Sequence, residues 1–142
     1  MRLSARELAA IATACRLLAQ ARIDLARQPV RLVLEDLASP PSQLPVSGHQ
    51  AKLVSWAIAA AAVRVPWRAD CLIRAMAAAR WLRREGAGWK LSIGVRREPD
   101  GRLGAHAWLE SGGVVVTGNL PDLDSFRPMP LKEFGKLDLP LD

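Results

Sequence analysis

The sequence predicts an α+β domain, with helices first and a small antiparallel sheet after them. Three observations carry this. Up to Gly86 the apolar residues recur every three or four positions, the period of a helix with one buried face. After Gly86 they alternate with polar residues, the period of a half-buried strand. The helical stretches are also bounded by residues suited to start and stop a helix. At 142 residues the chain suits one domain with a real core, helical over 1–65 and mixed over 66–130.

Ser4-Ala5-Arg6-Glu7 has the form of a capping box, in which the Ser and Glu side chains satisfy orphan amides of the first turn. Leu8, Ile11, Cys15, Leu18 and Leu25 follow at helical spacing, so the first helix runs to about Gln28, before Pro29. Cys15 lies inside that stripe and reads as core. Residues 30–38 read as a short second helix stopped at Pro40-Pro41, and residues 39–45 as a loop. Ser47-Gly48-His49-Gln50 is a second capping box. The third helix carries Leu53, Trp56, Ala57 and Ala60 to about Arg64, its alanines suited to close helix–helix contact. His49 falls in its exposed first turn.

The fourth helix organises the rest. Asp70 is its N-cap, and Cys71 falls on the first turn. Leu72, Ala75, Met76, Ala79 and Leu82 form its apolar stripe. Arg80, Arg83 and Arg84 load the far end, where cations suit the helix dipole, and Gly86 is placed to close it. Beyond it, Trp89, Leu91, Ile93 and Val95 alternate with Lys90, Ser92 and Gly94 as a strand. Residues 97–101 are a turn or exposed loop. Residues 103–110 form a second strand with His106 and Trp108. Ser111-Gly112-Gly113 turns the chain into a third strand over 114–118. Past Asn119 the chain is rich in Pro and Asp, with Phe126 and Phe134 as anchors onto the body.

Composition narrows the function. No apolar run approaches the ~18 residues that span a membrane. The N-terminus is charged and helical, unlike a signal peptide, so cytoplasmic residence is expected. Two cysteines and two histidines, all far apart, make neither a disulfide framework nor a metal-ligand spacing. No metal or cofactor is expected. The net charge of +6 and sequence pI near 10.3 favour acidic partners. The basic residues are scattered and the aromatics few, which argues against nucleic-acid binding.

One pair of residues carries chemistry. A thiol on the first turn of a buried helix sits where orphan amides and the dipole favour thiolate, the nucleophilic form. A histidine on a strand can deprotonate it and later protonate a leaving amine. Cys71 and His106 are that pair, and a third polar group is needed to fix the imidazole's orientation. If Gly112-Gly113 is a two-residue hairpin loop, Ser111 faces Val114 and His106 lies opposite Asn119 across the strands. With Ser111-Gly112 as the loop, Thr117 takes that place. Asp122 or Asp124 could also reach back from the following loop. The Cys71 backbone amide and one further donor, the Trp67 indole among the candidates, would form an oxyanion hole.

The run CLIRAMAAARWLRREG, then LSIGV, then AHAWLE followed by a Gly-Gly turn and a valine strand, resembles the lasso-peptide leader peptidases. These are transglutaminase-like biosynthesis proteins related to the processing protease of microcin J25. The similarity covers roughly residues 65–130. It implies a papain/transglutaminase-like fold, with N-terminal helices and a cysteine-bearing helix packed on a small antiparallel sheet, and a catalytic core over 66–130. It implies a cysteine peptidase that removes the leader from a ribosomally made precursor peptide, with Cys71 as nucleophile and His106 as base. The family places an Asp after the histidine, on the next strand. Here that neighbourhood reads Thr117-Gly118-Asn119, with Asn119 the candidate substitute. The resemblance further implies a small pocket beside Cys71, for a Thr two residues before the cut. Its implied partners are the precursor peptide, a separate leader-recognition protein and an asparagine-synthetase-like lasso cyclase. The first 65 residues lack the strands of a fused recognition domain, which favours the separate form. Two other activities suit the same residues: acyl transfer to an amine, and non-enzymatic binding of a precursor peptide.

Overall fold

The helices begin and end where local chemistry dictates. In α1 (Ala5–Arg27) the Ser4 and Glu7 side chains form the reciprocal capping box, and Gln28 caps the far end. The helix α2 (Val30–Leu37) starts after Pro29 and buries Val33, Leu34 and Leu37. The helix α3 (Gly48–Ala62) starts at Ser47, whose hydroxyl accepts the Gln50 amide. Only half of the expected second capping box forms, because the Gln50 side chain reaches across to Glu85 at 3.1 Å instead of back to Ser47. Ala51, Ala57 and Ala61 are fully covered, and α3 lies against α1 as the alanine-rich face suggests.

The fourth helix, α4 (Cys71–Arg84), sits between α1 and α3 on one side and the sheet on the other. Asp70 caps it by accepting the Ile73 amide at 3.1 Å. At its end Gly86 has φ +73°, the left-handed conformation that suits glycine. The Gly86 amide returns to Arg83 and the Ala87 amide to Leu82, the two bonds of a Schellman motif. The burial exceeds a single stripe. Ile73, Ala77, Ala78 and Trp81 are covered along with the five residues of the expected face, because layers pack on α4 from two sides.

The sheet has the order β3-β2-β1-β4 and every pairing is antiparallel. It comprises β1 (Lys90–Arg97), β2 (Leu103–Ser111), β3 (Val114–Thr117) and β4 (Arg127–Met129). The last strand was not expected from the sequence, because three residues with a central proline carry no alternation; it forms by pairing Met129 with Ile93 and Arg127 with Val95. A single 3-10 turn, Leu123–Ser125, precedes it, and a short α5 (Leu131–Phe134) follows. Phe126 and Phe134 are both buried, as anchors should be. The loop before α3 is stitched to the sheet at Ser111, whose hydroxyl accepts the Val46 amide and donates to the Gly88 carbonyl.

One hydrophobic cluster joins α1 through α5 and β1 through β3. The computed structural model describes residues 2–136; Met1 and residues 137–142 of the expected domain lie outside the described residues. No described helix is long and apolar enough to cross a membrane.

Candidate active site

The hairpin between β2 and β3 decides the geometry of the site. Gly112-Gly113 forms a two-residue loop, so Ser111 pairs with Val114 and Glu110 with Val115. A bulge then intervenes, and Leu109 pairs with Thr117. The strand ends there. The expected pairing of His106 with Asn119 therefore does not form, because one extra residue in β3 shifts the register and the ladder stops three pairs short of His106.

The gap so created is where the cysteine and the histidine come together. Past the end of β3, the Ala107 amide donates to Cys71 Sγ at 3.4 Å, placing the sulfur against β2 one residue from His106. The His106 imidazole reaches the first residue beyond β3: Nε2 lies 2.7 Å from the Gly118 carbonyl oxygen. A carbonyl can only accept, so Nε2 carries the proton and, in the neutral ring, Nδ1 keeps its lone pair. The ring is also packed between Phe126, 5.4 Å away centroid to centroid, and Trp108 at 6.1 Å. Cys71 and His106 line a common cavity of about 520 Å³ with Trp67, Arg68, Asp70, Arg74 and Asn119. Both residues are more than nine-tenths buried.

The orienting partner of His106 is thus a main-chain carbonyl. Gly118 holds φ +82°, and a Cβ there would run into the Ala107 carbonyl and stand 2.8 Å from Trp108 Cβ, so only glycine brings the carbonyl this close. Nothing in residue spacing marks a backbone oxygen. The available signal was a glycine at the end of a valine strand, a residue that often denotes a close backbone approach. Asn119 is exposed at the cavity edge, and its side chain makes no hydrogen bond among the described residues. Thr117 Oγ1 is buried and likewise makes none, so it does not hold the ring.

Asp122 is engaged elsewhere. Its carboxylate takes Arg96 Nη1 at 2.5 Å, and that hydrogen bond holds its pKa below the usual carboxylate range. Asp124 is exposed and makes no side-chain bond among the described residues. Arg96 also lies over the Phe126 ring at 4.2 Å and bonds Glu98 at 2.8 Å, bracing the wall on which His106 rests.

Trp67 Nε1 is buried in the cavity wall without a hydrogen-bond partner among the described residues. His49 is exposed and lines none of this cavity, and Cys15 packs against the core from α1. No group of His, Cys, Asp and Glu among the described residues could hold a metal ion.

No curated protein and no solved structure matches the chain significantly. A model of the transglutaminase-like superfamily, which includes cysteine peptidases and acyltransferases, matches residues 9–130, from the second turn of α1 through β4, and the chain belongs to that superfamily.

Proposed function

We propose that this protein is a cysteine peptidase that removes the leader from a lasso precursor peptide. The observation that carries the reading is the shared cavity of Cys71 and His106, with the imidazole held through Nε2 so that Nδ1 is left as the base. His106 takes the thiol proton, and the Cys71 thiolate attacks the scissile carbonyl. The resulting oxyanion is received by the Cys71 amide on the first turn of α4, and the Trp67 indole is placed in the same wall to donate a second bond. The imidazolium gives its proton to the leaving amine, which departs with the core peptide. Water, deprotonated by the same nitrogen, then releases the leader from the acyl-enzyme.

Cytoplasmic residence, a separate leader-recognition protein that presents the precursor, and a cyclase that consumes the freed amine complete the proposal. The test is incubation of the full chain with a lasso precursor and its leader-recognition protein, read by mass spectrometry. Two fragments are expected from the wild type and none from Cys71→Ala with unchanged circular dichroism. Undiminished cleavage by that variant ends the proposal.

Acyl transfer is the second reading, favoured by the presence of acyltransferases in the superfamily. The same spectra separate the two, since a product bearing a new amide to an added amine would replace the hydrolysed pair.

A further inference from the structure

Three arginines among the described residues are half-buried: Arg74, Arg80 and Arg96. Two of them have carboxylate partners, Arg80 with Asp24 and Arg96 with both Glu98 and Asp122. Arg74 differs. Its Nε donates to the Ala69 carbonyl at 2.9 Å, which anchors one edge of the guanidinium to the backbone just before the α4 cap. Its remaining donors make no hydrogen bond or ion pair among the described residues. Arg74 stands one helical turn beyond Cys71 and lines the same cavity.

The other charges of that cavity do not compensate it. Asp70 is the one carboxylate in the lining, and its Oδ1 is engaged by the Ile73 amide. Arg68 adds a second cation to the wall. A planar guanidinium, fixed along one edge and withdrawn in part from water, is preorganised for a carboxylate taken through two parallel N–H···O bonds.

We propose that Arg74 is the specificity-determining residue of this cleft, binding a substrate carboxylate within one or two residues of the amide that Cys71 attacks. The proposal rests on the peptidase reading above and names its substrate class: peptides acidic at the cut site. The carboxylate comes from an Asp or Glu side chain or from a chain terminus, and the experiment separates these sources.

Covalent probes test it without knowledge of the natural substrate. Peptidyl acyloxymethyl ketones with Glu or Gln beside the ketone explore one side of the reacting carbon. Chloroacetyl-Gly-Glu amide, chloroacetyl-Gly-Gln amide and chloroacetyl-Gly-Gln free acid explore the other, and distinguish a side-chain from a terminal carboxylate. The readout is the ratio of Cys71 labelling rates, charged over neutral, from intact mass on the full chain. At least one carboxylate probe is expected to label the wild type about tenfold faster than its neutral isostere, as a charge-assisted hydrogen bond allows. In Arg74→Gln that ratio falls toward the value set by His106 and the helix end alone. Arg74→Lys recovers part of it, keeping the charge but not the fork. Because the ratio is read, a variant that labels slowly overall still decides. Equal ratios for the wild type and Arg74→Gln overturn the proposal. Absence of Cys71 labelling by every probe, neutral ones included, overturns instead the catalytic reading on which it stands.

Discussion

The two cysteines occupy helices of the same kind and have opposite prospects. Cys15 lies in the middle of α1 and Cys71 on the first residue of α4; both pack with the hydrophobic core, and neither forms a disulfide. Burial does not separate them in the usual direction, for Cys71 is the more buried. Position along the helix does. Around Cys15 the backbone amides are engaged within the helix, and no hydrogen bond reaches its sulfur among the described residues. At Cys71 the first-turn amides point outward, Asp70 satisfies only one of them, and the Ala107 amide adds a bond to the sulfur from the neighbouring strand. What distinguishes the two thiols is the donor aimed at the sulfur, not exposure.

Substitutions can break that contrast. The largest effect is expected from Cys71→Ala, a loss on the order of 10⁶-fold that takes leader cleavage below detection by mass spectrometry. Cys15→Ala should leave the turnover rate within about twofold, since its sulfur contributes only packing. Equal losses from the two would mean that helix position carries no chemical information here. His106→Ala comes next, with an expected 10²- to 10⁴-fold fall in kcat/KM, the usual contribution of a general base.

Gly118→Ala sharpens the comparison by leaving both reacting side chains in place. A side chain there costs about 1–2 kcal/mol for the left-handed backbone alone. It also pushes the carbonyl away from His106 Nε2. Roughly 10²-fold lower kcat is expected, with a lowered thermal midpoint. Asn119→Ala measured beside it should lose far less, because that side chain makes no hydrogen bond among the described residues. A larger loss from Asn119→Ala than from Gly118→Ala would return the orienting role to the asparagine. The smallest effect belongs to Asp70→Ala, expected to cost about 1 kcal/mol in urea unfolding through loss of the α4 cap. It should also slow alkylation of Cys71 relative to Cys15, as the loosened first turn aims its amides less well.

Much of this architecture was legible in advance. The first four helices and the three hairpin-linked strands follow from periodicity and caps that act over a few positions, and Cys71 and His106, singled out by residue chemistry, line one cavity. Three features were not legible. The strand β4 has no pattern of its own and exists because β1 offers it a partner. The full burial of α4 depends on a second layer that the helix sequence does not encode. The orienting group for His106 was sought among side chains, whereas a bulge of one residue delivers a backbone carbonyl.

The amino-acid order alone determined where each helix starts, where the period changes, and which thiol falls on a helix's first turn. Those are local matters, set by hydrogen bonds and apolar spacing within a turn or two of chain. The tertiary structure alone decided what holds the imidazole, which half-buried arginine is without a carboxylate among the described residues, and how deeply α4 is covered. Those depend on groups far apart in the chain, and a shift of one residue in β-strand register is enough to exchange one partner for another.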